Sequence, residues 1–201
     1  EPEHVVGLIG RSGDPSPVTA YGVYMGIKAC AQAKYSDDSL AGKHVAVQGL
    51  GHVGYYLCKD LAEEGAKLTV TDIDQDRVKQ VVDEFGAEAV EPDAIYAVDA
   101  DIFAPCALGA IVNDDTIDVL NVDIVAGAAN NQLARGPIHG PALDERGILY
   151  APDYVINAGG LINVYGEIEG WSPERSKRKA GDIYNTLMRT FELATTEGLA
   201  P

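Results

Sequence analysis

Cysteine is scarce in this chain and falls into no pairing pattern: Cys30, Cys58 and Cys106 are the only three in 201 residues. An odd count without close spacing speaks against a disulfide framework and points to a reducing, cytoplasmic setting. Cys30 and Cys58 sit in apolar helical stretches and read as small core residues. The four histidines, His4, His44, His52 and His139, show no metal-ligand spacing, so no metal is expected. Basic residues are also in short supply. Fifteen Lys and Arg stand against 31 Asp and Glu, and the formal net charge of −16 disfavours nucleic acid and anionic membrane as partners. No apolar run has the length of a bilayer span, and no stretch reads as a signal peptide. Internal repeats and low-complexity tracts are missing too. So is an initiator methionine: the chain opens Glu1-Pro2-Glu3-His4 and stops at Pro201, just beyond a long helical pattern. The expectation is a processed or cut piece of a longer protein.

What is present is organised around Val45-Ala46-Val47-Gln48-Gly49-Leu50-Gly51-His52-Val53-Gly54. A β-branched apolar run stops at a glycine turn and a helical pattern follows at once, which is the context that gives a G-x-G-x-x-G loop its mechanism. Gly49 makes the tight turn, Gly51 admits a pyrophosphate to the backbone, and Gly54 lets helix and strand pack closely. The helix N-terminus, at His52 and Val53, then faces the phosphates. Asp72 ends the next apolar strand, roughly 20 residues on, where a carboxylate binds a ribose 2′-hydroxyl and repels a 2′-phosphate. Ile73 beside it is expected at the same cofactor. The nearest arginine is Arg77, which favours NAD over NADP. A helix N-cap is the plainer role for a carboxylate here, and Asp74 fits it. Asp72, Asp74 and Asp76 also imitate the start of a calcium loop, but Arg77 replaces the glycine such a loop needs.

Residues 7–15 read as a loop, and Ser16 as the N-cap of a helix running from Pro17 to Lys34. Gly22 and Gly26 interrupt that helix and suggest close approach of another backbone or a ligand. Strands are predicted at 44–48, 68–71, 87–90, 101–104, 123–126 and 149–151. Helices are predicted at 53–64, 75–84, 113–120 and 142–146, with a last one from Pro173 to Thr195 capped by Ser172. The alternation implies an α/β, doubly wound, mostly parallel sheet, a Rossmann-like NAD(P)-binding domain filling residues 1–201, with 1–35 leading and 172–201 trailing. Ligands bind beyond the carboxyl ends of such strands. Polar loops gather there at Gly49–Gly54, at 105–109, at 127–132 and around Asn157.

Several separated stretches together resemble the glutamate/leucine/phenylalanine/valine dehydrogenase family, nearest its leucine-acting members. They are Gly13-Asp14-Pro15-Ser16-Pro17-Val18-Thr19-Ala20-Tyr21-Gly22, the glycine loop, residues 101–109, Ala128-Ala129-Asn130-Asn131-Gln132-Leu133, and residues 151–160. The resemblance implies reversible oxidative deamination of an L-amino acid to a 2-oxo acid with NAD. It places Thr19 near the nicotinamide carboxamide, and Gly49, Gly51, Gly54 and Asp72 at the dinucleotide. Cys106 and Ala107 pass the cofactor through backbone atoms. Asn130 and Asn131 stand near the nicotinamide ribose and the substrate, and Asn157 at the reacting end. Leu161 and Val164 line the side-chain pocket. An apolar Val164 speaks for an aliphatic substrate over glutamate; Leu161 departs from the expected valine and leaves leucine, valine and isoleucine open, with phenylalanine not excluded.

The family's catalytic lysines and assisting aspartate belong to an N-terminal domain, and nothing here matches its glycine-rich lysine segment. The expectation is therefore a cofactor domain with no catalytic residue of its own, inactive alone, from a parent that forms a homo-oligomer. The alternatives are a non-enzymatic NAD-binding module, or another dehydrogenase class with a similar fold, such as a folate-linked enzyme.

Overall fold

A computed structural model describes residues 14–199. The loop expected over residues 7–15 therefore lies outside the described residues except for Asp14 and Pro15. Six strands, β1 (His44–Gln48), β2 (Lys67–Thr71), β3 (Glu88–Ala89), β4 (Ile102–Pro105), β5 (Ile124–Val125) and β6 (Leu149–Tyr150), form one sheet in the order β3-β2-β1-β4-β5-β6. Every pairing is parallel, with Val47 opposite Val70 and Ala104. The order reverses at β1, so the crevice between β1, β2 and β4 is the switch point where ligands bind.

The central strands are buried on both faces, and their residues alternate between two cores. Val45, Val47, Ile102, Ala104 and Ile124 face one core with Ile27, Leu57, Leu61 and Leu187. Ala46, Phe103 and Val125 face the other, with Ile95, Val112, Leu120 and Leu143. Helices α1 (Ser16–Tyr35), α2 (His52–Glu64), α3 (Gln75–Phe85) and α8 (Ile183–Glu197) supply the first face. The second is covered by α4 (Gly136–Glu145), a 3-10 helix at Pro92–Ala97 and the turns of residues 113–120.

Several elements differ from their sequence reading. The α1 cap is Pro15, not Ser16; Ser16 is the first helical residue, and its N–H donates to Asp14 Oδ1 at 2.9 Å. Residues 113–120 are turns rather than a helix. Asn113 Oδ1 accepts from the N–H groups of Asp115 and Thr116 as a helix cap would, but the backbone bonds that follow mix three- and four-residue spacings, with Ile117 N–H to the Asn113 carbonyl and Val119 and Leu120 N–H to that of Thr116, and no regular helix propagates. Helix α4 starts six residues before the predicted 142, because Pro141 inside it imitates a loop signal. The stretch around Asn157 is two short helices, α5 (Asp153–Ile156) and α6 (Gly159–Ile168), where a loop is predicted. The last predicted helix is two, α7 (Pro173–Gly181) and α8, broken at Asp182, although Ser172 does cap α7 by accepting from the Arg175 N–H at 3.3 Å.

Helix α1 is the strut for the site's far end. A Cβ at Gly26 would stand 2.5 Å from Ile156 Cγ1, and one at Gly159 would stand 2.8 Å from the Val18 carbonyl oxygen. Those contacts are protein on protein, so the glycines of α1 serve packing against α5 and α8. Glu64 holds α1 to the end of α2. Its carboxylate accepts from Tyr24 Oη at 2.5 Å, from Lys28 Nζ at 2.7 Å and from the Leu40 N–H at 3.1 Å. Burial alone would raise its pKa, but those hydrogen bonds outweigh burial and hold the carboxyl below its ordinary 4.5.

The β1–α2 turn is fixed by contact. Gly49 has φ +95°, and a Cβ there would meet Ala107 Cβ at 2.6 Å. A Cβ at Gly54 would stand 2.0 Å from the Gly49 carbonyl oxygen, whereas at Gly51 the nearest heavy atom is Arg77 Nη1 at 3.7 Å.

Two outcomes are expected. Gly54→Ala should destabilise the fold by about 2 kcal/mol or more, since backbone rather than a flexible side chain must yield, while Gly51→Ala stays within about 1 kcal/mol of the parent; urea unfolding of the two variants reads the difference, and equal losses would contradict the turn geometry. The depressed Glu64 pKa contributes stability that is fully present above its unfolded value of 4.5 and is lost as pH falls through the folded value. Glu64→Gln should therefore cost about 1–2 kcal/mol at neutral pH and soften the loss of stability below pH 4.5, seen in urea midpoints across an acid series.

Candidate functional site

The crevice at the β1 switch point is a cleft of about 520 Å³. Gly49, Gly51, Asp72, Ile73, Cys106 and Ala107 all border it, so one cavity gathers six of the residues singled out in the sequence. Helix α2 begins with a bond from the Tyr55 N–H to the Gly51 carbonyl at 2.9 Å, and the N–H groups of its first turn precede that bond. Gly51 leaves an empty cradle in front of them. Asp72 closes the other wall. Its Oδ2 accepts from the Leu50 N–H at 2.5 Å and its Oδ1 from the Asp74 N–H at 2.9 Å, tying the end of β2 to the glycine turn. The capping role falls to Asp74, whose side chain accepts from the N–H groups of Asp76 and Arg77. Asp72 is thus left at the cleft. Ile73, 91% exposed, projects from the rim as an apolar flank.

Cys106 is half-buried, and burial pushes its thiol up to about 11, which keeps it a neutral thiol at neutral pH. Its segment contributes shape to the cleft. The loops after β4 and β5 are knitted together, with the Ala129 N–H donating to the Pro105 carbonyl at 2.9 Å and the Ala110 N–H to that of Asn131 at 2.6 Å.

Farther along the same edge, Asn157 Nδ2 donates to Asn130 Oδ1 at 2.7 Å. Thr19 lies against the start of α6: its Oγ1 is 3.0 Å from the position of a Cβ on Gly160, and it donates to the Pro15 carbonyl at 3.0 Å. Asn131 is exposed and adopts φ +50°. His52 and Val53 do not enter the cleft through their side chains. His52 pairs with Asp14 Oδ2 at 3.1 Å on the outer surface, and Val53 packs against the core. Leu161, 73% exposed, borders a separate apolar groove of about 590 Å³ with Tyr165 and Trp171. Val164, three residues along α6, does not line that groove.

Sequence reasoning missed three participants. Tyr96, on the 3-10 helix, borders the cleft and accepts from Gln48 Nε2 at 2.7 Å. Arg77 borders it as well. Gln132 is fully buried, and its Nε2 donates to the carbonyls of Gly127 at 2.8 Å and Ala129 at 3.0 Å, bracing the turn that carries Asn130. Nothing in the local pattern separates a buried glutamine from an exposed one; its place beside the asparagine pair was the available signal.

The model of the glutamate/leucine/phenylalanine/valine dehydrogenase family matches residues 10–76 and 69–192. Leucine dehydrogenase of Thermoactinomyces intermedius is 57% identical over 202 residues, covering 99% of this chain and 55% of that protein. L-Tryptophan dehydrogenase of Nostoc punctiforme is 49% identical over 99% of this chain and 56% of its own length. The crystal structure of the latter superposes with a TM-score of 0.90 over 92% of this chain and 56% of that one, at 49% identity. A hetero-hexameric glutamate dehydrogenase of Thermus thermophilus, 22% identical with a TM-score of 0.73 over 98% of this chain and 50% of that one, shares the fold. The chain spans about half the length of the curated relatives it matches. With a family model running through nearly all of the described residues, this chain belongs to the glutamate/leucine/phenylalanine/valine dehydrogenase family.

Proposed function

We propose that this chain is the NAD-binding domain of an L-amino-acid dehydrogenase acting on a branched-chain substrate, leucine foremost. The observation that carries the reading is the β1–β2 cleft, where the Gly51 cradle and the Asp72 carboxylate face one cavity. The cradle and first turn of α2 suit a pyrophosphate, and Asp72 suits the adenosine ribose hydroxyls of NAD. The Asn130–Asn157 pair and Thr19 stand where the nicotinamide end would lie, with Asn131 toward the substrate. Leu161 and Val164 would meet an aliphatic side chain.

When bound, the nicotinamide accepts the hydride that leaves the amino-acid Cα, and water then hydrolyses the resulting imine to 2-oxo acid and ammonium. The residues of this chain bind and orient. In this reading the group that takes the proton from the substrate ammonium is a lysine of a further, N-terminal domain, and closure of the two domains excludes water. The chain alone would bind NAD without turnover, and the whole protein would assemble from identical copies.

The decisive assay follows NADH formation by the whole protein with leucine, valine, isoleucine and phenylalanine. Aliphatic substrates should react; inactivity on all of them, with NAD still bound by this chain, would favour a non-enzymatic module. Asp72→Ala should weaken NAD roughly tenfold by calorimetry, the order of a lost charge-assisted hydrogen bond, and weaken NADP less. Equal losses for both would remove Asp72 from the ribose.

A further inference from the structure

Among the described residues, Arg77 is the one cation bordering the β1–β2 cleft, and it shares that border with two carboxylates, Asp72 and Asp74. It belongs to the first turn of α3. Its Nε lies 3.2 Å from Asp74 Oδ2, with half of each side chain open to solvent. Such an exposed i,i+3 pair contributes little to folding. The cap of α3 uses the Arg77 backbone N–H and not its guanidinium. The fold therefore has little need of this charge.

Its position is more specific than its pairing. Arg77 Nη1 is the nearest heavy atom to the place where a Gly51 side chain would stand, at 3.7 Å. Any group that fills the Gly51 cradle is brought against the guanidinium. Arg77 also borders the shallow hollow beyond Gly51, over His52 and Tyr55, so it stands at the mouth between the two. In a chain of net charge −16, a dianionic ligand entering between Asp72 and Asp74 meets repulsion, and beside the N–H groups that open α2 this is the one cationic side chain on the cleft's border to offset it.

We propose that Arg77 is the pyrophosphate counter-ion of this cleft: it exchanges Asp74 for the phosphate oxygens seated over Gly51 as the dinucleotide enters. The proposal depends on the NAD reading and adds to it a residue that holds charge rather than shape. A guanidinium suits the task because its planar fork can bond two phosphate oxygens at once.

The test compares ADP-ribose with adenosine on this chain, as parent, Arg77→Gln and Arg77→Lys, by calorimetry for the first ligand and NMR titration for the second. Arg77→Gln should bind ADP-ribose roughly tenfold more weakly while adenosine stays within about twofold, and Arg77→Lys should fall between. The dependence of ADP-ribose affinity on salt should also be shallower in Arg77→Gln. An unchanged ADP-ribose affinity or an equal loss for adenosine would overturn the proposal. A parent chain that binds no ADP-ribose would strike the cofactor reading itself; a parent that binds it with an indifferent Arg77→Gln strikes Arg77 alone.

Discussion

The carbonyl of Gly49 occupies the space that a side chain at Gly54 would need. That one contact lets α2 start directly over the end of β1, and most of the cleft's geometry descends from it. Were the helix displaced by the width of a methyl group, its first-turn N–H groups would no longer look across the crevice. Asp72 then binds the same turn from the other side, through the Leu50 N–H. Strand, turn and neighbouring strand become one rigid corner. A parallel sheet buried on both faces supplies the platform, because each central strand sends alternate residues into two different cores.

Much of this was legible from residue pattern alone. β1, α2, β2 and α3 fall where the glycine turns and β-branched runs put them, since each is ended by local chemistry: Gly65 at φ +92°, Gly86 at φ +68°, Asp74 at the α3 cap. Legibility fails where tertiary contact overrides local preference. Gly159 and Gly160 look like a loop in isolation, yet they open α6 because only a residue without a side chain can sit against Val18 and Thr19. Residues 113–120 read as a helix and Asn113 caps them like one, yet the backbone bonds mix three- and four-residue spacings and no regular helix propagates. The break at Asp182, which separates α7 from α8, has no local signal beyond Gly181, where a Cβ would stand 3.4 Å from Tyr21 Cε1.

The candidate site divides along the same line. Residues of the glycine corner declare themselves because turn sterics restrict which amino acids can stand there. At the other end Asn130 and Asn131 are exposed and Thr19 and Asn157 partly so, with no steric signature, and only a family resemblance singled them out. Tyr96, Arg77 and Gln132 escaped because their roles depend on which cavity they border or which turn they brace, and neither is written in spacing.

The two ends of the edge also differ in how they are prepared for a ligand. The backbone of the glycine corner is held by contact and has nothing to rearrange, so in the proposed reading a pyrophosphate would meet a preformed cradle and only the Arg77–Asp74 pair would exchange partners. The asparagine end is held by the Asn157–Asn130 hydrogen bond, whose donor and acceptor are the groups a carboxamide or ribose would want. A ligand there must exchange that bond for its own, which makes binding at this end close to neutral in hydrogen bonds. What keeps the exchange ordered is Gln132, whose amide bonds to Gly127 and Ala129 hold the turn in place whichever partner Asn130 has. If the proposed reading holds, affinity in this domain comes mainly from the glycine corner, while the asparagine end contributes orientation, the quantity that a hydride transfer would require of it.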